Sequence, residues 1–236
     1  MIKYALLKDR FDELLMQQEV HELEKDFWKP HYNISQYEGG WTTLSLRAIN
    51  GNTDNGVSIQ ASSLQQNMAY QDTSLLSQCA YIRKVVDFFE CEKMSVRLMK
   101  LQAGAIIKTH TDYDMSFEEG EARFHIPVIS NPDVSFFIEE EKIPMLQGEC
   151  WYLNLSLKHR VQNFGATDRI HLVIDCVVND WVKKMLDEST SLKKEAEETS
   201  KKTYTTTDKI NIIQQLRGMN TPVSNELADK METDEN

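Results

Sequence analysis

The chain has no excess of basic residues, because 26 Lys and Arg stand against 37 Asp and Glu for a formal charge of −11. Such a balance repels phosphate backbones and anionic headgroups, so no nucleic-acid or membrane partner is expected. No apolar run approaches the roughly 18–20 residues that a bilayer-spanning helix needs. The opening stretch MIKYALLKDRFDELL turns charged before a signal-peptide core forms, so the protein is expected to be cytoplasmic. Cysteine is scarce and scattered. Cys79, Cys91, Cys150 and Cys176 contain no C-x-x-C pair, which fits neither a zinc ribbon nor a disulfide-stapled secreted fold and leaves reduced, mostly buried thiols.

What is present is the composition of an ordinary globular protein, with 41% hydrophobic and 27% charged residues in 236 positions, enough for one large core. Phe11, Leu14, Leu15, Leu23 and Phe27 recur at helical spacing and predict a helix over 9–27, ended by Pro30. Trp41 opens a short strand among glycine-bounded loops, and apolar residues from Leu75 to Phe89 predict a second helix over 74–89. From 95 onwards the chain breaks into short β-branched and aromatic runs at 96–101, 105–109, 122–129, 134–138, 148–153, 159–163 and 169–177, separated by turn residues. The fold class expected is mainly β: a double-stranded β-helix, a cupin-like jelly roll, with the N-terminal helices packed on one side. We divide the chain into this domain, 1–182, and a charged extension, 183–236. In the extension, Ile210, Ile212, Ile213 and Leu216 predict one more helix, either solvated or a dimerisation or partner-docking element.

The chemistry gathers on a few residues. His110-Thr111-Asp112 follows a predicted strand, and His159 lies 49 positions beyond His110. Two His and one carboxylate form the facial triad that holds non-haem Fe(II) and leaves positions open. Residues at i and i+2 leave a strand on one face about 6.5 Å apart, so His110 and Asp112 can converge if His159 comes from an adjacent strand. Arg123 and His125 form a second i, i+2 pair, with Phe124, Ile126 and Val128 on the opposite face. Arg169 follows His159 by ten residues, and an odd loop between their strands would turn it to the same side. A guanidinium inside a closed barrel needs an anion, which is either an internal acid or a bound dicarboxylate such as 2-oxoglutarate.

The run Arg97-Leu-Met-Lys-Leu-Gln-Ala-Gly104, His110-Thr-Asp112, Arg123-Phe-His125, Gly148-Glu-Cys-Trp151, His159-Arg-Val-Gln-Asn163 and Arg169 resembles the aspartyl/asparaginyl β-hydroxylase family of Fe(II)/2-oxoglutarate dioxygenases. The likeness extends over about 37–181, since Tyr37-x-Gly39-x-Trp41 is similar to the family's early aromatic segment. It implies a jelly roll with His110, Asp112 and His159 as iron ligands and catalytic centre. It also implies Arg169 on the distal carboxylate of 2-oxoglutarate, with Arg123 and His125 near its metal-bound end. Asp112 is similar to the small-molecule branch that contains free-proline hydroxylases, because the vertebrate-type peptide hydroxylases lack that acid. Asn154 and Leu157 depart from the family's usual residues.

The activity expected is hydroxylation of an amino acid or amino-acid-like small molecule, consuming O2 and converting 2-oxoglutarate to succinate. The alternatives are hydroxylation of Asp or Asn side chains in a peptide or protein, and a metal-binding cupin-like interaction module without turnover. Arg97, Tyr113, Trp41 and Trp151 are candidate substrate contacts, against the plainer readings of a strand-edge arginine and core tryptophans. His21, His31 and His171 have no partner spacing that marks them out.

Overall fold

Alternation of period two runs through most of 93–177, and the segments that carry it are extended, because a pleated strand sends successive side chains to opposite faces. The computed structural model describes residues 1–23, 28–53, 69–112, 115–194, 206–219, 224–225, 228–229 and 232. They form two units, Met1–Glu195 and Ala196–Asn236. In chain order the first unit holds β1 (Ile2–Arg10), α1 (Glu13–Glu22), β2 (Lys29–Pro30), β3 (Tyr37–Glu38), β4 (Trp41–Ile49), β5 (Tyr70–Asp72) and α2 (Ala80–Phe88). The barrel strands β6 (Lys93–Leu101), β7 (Ile106–His110), β8 (Glu121–Ile129), β9 (Val134–Ile138) and β10 (Glu141–Ile143) follow. Then come β11 (Glu149–Leu153), β12 (His159–Asn163), β13 (Arg169–Val177), α3 (Asp180–Asp187) and β14 (Ser191–Lys194).

Two antiparallel sheets result. One has the order β14-β1-β11-β8-β13-β6-β4-β2, with β5 also on β4, and the other has the order β10-β9-β12-β7-β3. Their inner faces share one apolar cluster, in which Trp41, Met99, Trp151 and Val173 of the large sheet meet Ile107, Phe136, Ile138 and Val161 of the small one. This is the jelly roll. The outer face of the large sheet carries a second cluster, where Phe124, Ile126, Leu172 and Ile174 pack against Met16 and Val20 of α1, Ile82 and Val85 of α2, and Val182 and Leu186 of α3. Alternation therefore separates two jobs on the same strands. Even-numbered residues of β8 and β13 bury apolar area against the helices, while Arg123, His125, Arg169, His171 and Asp175 face the barrel.

Several expectations change. Residues 2–10 form a strand between β11 and β14, and the helix begins only after Asp12, whose carboxylate accepts from Leu14 N at 3.0 Å and Leu15 N at 3.1 Å. Leu23 is already extended, so α1 is shorter than 9–27, whose last positions lie outside the described residues. The 74–89 segment is a 3-10 turn, Leu76–Gln78, then α2. The strand opened by Trp41 runs on to Ile49 and lies on β6. The expected boundary at 182/183 is displaced: α3 and β14 stay with the first unit because β14 pairs with β1. In the second unit α4 (Thr206–Met219) covers the predicted apolar set, with Ile212, Ile213 and Leu216 half-buried.

Gly39 shows why the aromatic segment reads Tyr-x-Gly-x-Trp. Its φ is +80°, and a Cβ there would come within 2.8 Å of Ala105 Cβ, so only glycine lets the chain pass from β3 in one sheet to β4 in the other.

Candidate metal centre and anion pocket

β7 ends on His110 and pairs with β12, whose first residue, His159, lies opposite it. Asp112 is held just beyond the strand by its N–H, which donates to Leu155 O at 2.8 Å. Leu155 belongs to the turn after β11, which the buried Asn154 fixes. Its amide donates to Ile2 O at 3.1 Å, and its carbonyl accepts from Ser156 N at 3.1 Å and Ser156 Oγ at 2.6 Å. One turn thus positions both Asp112 and the start of β12.

His110, Asp112 and His159 each offer a ligand atom within 4.8 Å of the others, and among the described residues they are the only such set of three or more. The imidazole tautomers are also set. His110 Nδ1 lies 2.7 Å from Lys108 O and His159 Nδ1 lies 3.0 Å from Leu157 O, and since a carbonyl only accepts, both Nδ1 atoms carry the proton. Both Nε2 lone pairs are left for an ion. Burial lowers the His159 pKa to about 4, so the ring is neutral at physiological pH. Burial alone would raise the Asp112 carboxyl, but the Arg123 guanidinium beside it holds it well below the usual carboxylate range. Two imidazoles and one carboxylate at this spacing suit Fe(II).

Arg123 Nη1 donates to Asp112 Oδ2. Its other edge grips Asp175, Nε to Oδ1 at 2.6 Å and Nη2 to Oδ2 at 3.0 Å. Asp175 is fully buried and also accepts from Arg97 Nη2 at 2.8 Å and Ser95 Oγ at 2.7 Å. The internal acid weighed as one partner for Arg123 is therefore present twice. The guanidinium touches the metal set through Asp112, and its carboxylate contacts are internal. Arg97 is not at a strand edge: it lies within β6, 3% exposed, and is bound to Asp175.

Arg169 differs. It is 2% exposed, and among the described residues its one side-chain hydrogen bond goes from Nη2 to His171 Nδ1 at 2.8 Å. Among the described residues its Nε has no partner and no carboxylate acts on it. Burial without an anion pulls its pKa down to about 9. A buried guanidinium of this kind is suited to pair with a carboxylate, and none of the described residues supplies one. The guanidinium carbon lies 6.0 Å from the Phe136 ring, which stacks at 3° and 6.2 Å on His159, so Phe136 forms the floor between the cation and the metal set. His125 faces the same space, with its Nε2 also without a partner among the described residues.

The route by which Arg169 reaches this face is not the expected one. β12 and β13 do not pair with each other; they belong to opposite sheets, and Arg169 and His159 reach one interior, on either side of Phe136, because the inner faces look at each other. Trp41 lies 6.4 Å from the His110 ring and stacks on His31 at 3.5 Å and 13°. Trp151 is buried opposite His125, with its Nε1 donating to Glu149 Oε2 at 3.0 Å. Tyr113 lies outside the described residues. Sequence reasoning missed Asp175, His171 and His31. The first two continue the ladder 169, 171, 173, 175 on one strand face, the signal already used for Arg123 and His125.

Residues 10–178 match the family described as aspartyl/asparaginyl beta-hydroxylase. A curated relative, L-proline cis-4-hydroxylase of Rhizobium meliloti (strain 1021), is 26% identical over 177 residues, which is 74% of this chain and 61% of the relative. The chain thus spans about three-fifths of that relative's length. Among solved structures, a Pseudomonas putida prolyl-4-hydroxylase aligns at 10% identity with a TM-score of 0.47, over 76% of this chain and 94% of that one. The viral collagen prolyl hydroxylase of Paramecium Bursaria Chlorella virus-1 aligns at 9% identity with a TM-score of 0.43, over 75% and 97%. The match over most of the jelly roll, joined to its His-x-Asp and distal His, makes this chain a member of the aspartyl/asparaginyl β-hydroxylase family.

Proposed function

We propose that this protein is an Fe(II)- and 2-oxoglutarate-dependent dioxygenase that hydroxylates a free amino acid or amino-acid-like small molecule. The observation that carries the reading is a buried guanidinium with no acid on it among the described residues, Arg169, facing the same interior as three convergent ligands. His110, Asp112 and His159 would hold the iron, which when bound supplies the oxidative chemistry that couples decarboxylation of 2-oxoglutarate to C–H hydroxylation with O2.

The chain's own work is holding and excluding. Arg169 takes the distal carboxylate of the co-substrate, and Phe136 with Val173 and Ile138 keeps water from the space between. Arg123 shares its charge between Asp112 and Asp175 and so fixes which carboxylate oxygen of Asp112 is left for the ion. His125 borders the same pocket. Trp41, Trp151 and Arg97 line or support the substrate side. The activity of the proline hydroxylase relative and the presence of Asp112 both favour a small substrate over a peptide.

Mixing the protein with Fe(II) and 2-oxoglutarate without oxygen should give a weak visible charge-transfer band, and its absence in folded protein refutes the reading. Aerobic incubation with free amino acids, proline first, should then yield a product heavier by one oxygen atom together with succinate, with His110→Ala silent. Turnover of peptides alone would replace the small-molecule assignment.

A further inference from the structure

His171 has no place in the metal set, yet it is 2% exposed inside the barrel and touches two groups that face the pocket. Its Nδ1 lies 2.8 Å from Arg169 Nη2 and 3.4 Å from His125 Nδ1. A guanidinium has no lone pair to offer, so Arg169 is the donor and His171 Nδ1 the acceptor. The ring is neutral, since burial and then the neighbouring Arg169 charge hold it well below the usual histidine range. Its proton therefore sits on Nε2. The same His171 lone pair faces His125 Nδ1, where only an N–H is tolerated, so His125 carries its proton on Nδ1. Its Nε2, buried and without a partner among the described residues, is left as a bare acceptor.

We propose that His171 is a positioning residue: by accepting from both neighbours it fixes the plane of the Arg169 fork and the tautomer of His125. The consequence for Arg169 rests on the co-substrate reading above; the tautomer assignment does not. Arg169 has five N–H groups, and one is spent on His171. Held there, the planar fork cannot turn about its stem, and the remaining N–H edge is presented to an incoming carboxylate without a search among rotamers. Loss of the acceptor would free the guanidinium to rotate and would leave His125 free to carry its proton on either nitrogen.

The first test reads the nitrogens directly. In a long-range 15N–1H correlation spectrum of the metal-free protein at neutral pH, His125 should show a proton on Nδ1 and an unprotonated Nε2, with His171 showing the reverse. A proton on His171 Nδ1, or a cationic ring at either position, overturns the proposal.

The second test compares His171→Asn, which keeps an acceptor oxygen near the Nδ1 position, with His171→Leu, which has none. In anaerobic titrations with Fe(II), Leu should weaken 2-oxoglutarate binding about tenfold or more, and Asn should stay within about threefold of the wild type. The KM for the amino-acid substrate should move much less than that for 2-oxoglutarate. Equal weakening by Asn and Leu, or equal effects on both KM values, overturns the positioning role. If His171→Leu does not fold, the Asn variant and the wild-type spectrum still decide. A wild-type protein that shows the expected nitrogen pattern but binds no 2-oxoglutarate overturns the co-substrate reading alone.

Discussion

Asp175→Asn is the perturbation that separates the support of the metal centre from the centre itself. The carboxylate is fully buried, and it accepts four hydrogen bonds, from Ser95, from Arg97 and two from the Nε/Nη2 edge of Arg123, at 2.6–3.0 Å. Asparagine has nearly the same shape but no charge, and its amide turns an N–H towards one of these donors. Removing one partner from a buried ion pair costs about 3–5 kcal/mol, because the charges left behind stay desolvated. For a unit of Met1–Glu195 that is a fall in melting temperature of about 6–20 °C, at roughly 2–4 °C per kcal/mol. A second effect follows at the ligands. Arg123, released from Asp175, has only Asp112 to neutralise it, and it then competes with a metal ion for that carboxylate. Divalent-metal affinity should drop about 10–100-fold, the range for losing an outer-shell partner. Calorimetry with and without Co(II), followed by metal titration at a temperature where the variant is folded, measures both. An unchanged melting temperature refutes the burial argument. A lowered melting temperature with unaltered metal affinity refutes the claim that Asp175 governs Asp112 through Arg123.

Arg169→Ala should raise the 2-oxoglutarate requirement about 100-fold, the size of a lost charge-assisted pair, while moving the substrate KM less; equal shifts would remove its assignment. Phe124→Ala, at a fully buried site against Phe89 and Tyr152, should cost about 3–5 kcal/mol in urea unfolding yet leave metal affinity intact, because it lies on the outer face. Acid should destabilise the fold early. Burial lowers the pKa of His31 to about 3 and those of His125 and His171 well below 6.5, so each binds a proton more readily when unfolded. Their stabilising contribution is complete above about pH 6.5 and is lost as pH falls towards the folded values, at about 1.4 kcal/mol per pH unit for each ring. A urea midpoint that stays flat between about pH 7.5 and pH 5 would show that these rings are not buried neutral.

Where strand alternation was strong, the sequence was readable to the residue. The outward row Phe124, Ile126, Val128 and the inward pair Arg123, His125 follow from period two alone, and so does the convergence of His110 with Asp112. Pairing partners were harder. Between β1 and the helical pattern after it only Asp12 marks a break, and the partners of β1 lie 139 or more positions away in β11 and β14, so little local marks it as extended. The ten-residue step from His159 to Arg169 looks like a hairpin, yet the chain uses it to cross between sheets. Short spacing says that two strands are near and does not say which edge each one joins. Asp175 was legible by the same alternation that found Arg123. It was missed because an acid three pleat repeats beyond Arg169 becomes meaningful only when β8 and β13 are known to be adjacent.

Charge supports the proposal that the pocket takes a diacid. Arg97 and Arg123 are balanced by Asp112 and Asp175 within one bonded network, and Arg169 stands outside it with no balancing acid among the described residues. A divalent ion at His110, Asp112 and His159 would add two positive charges to that one, in an interior where a lone charge is costly. A dicarboxylate that bridges the ion and Arg169 returns the pocket to a single positive charge. What remains is matched to the carboxylate of an amino acid. On this reading the order of occupancy is electrostatic as well as steric: the metal makes the diacid welcome, and the diacid leaves room for only one more anion. A cationic small molecule with no carboxylate would meet a residual field of the wrong sign.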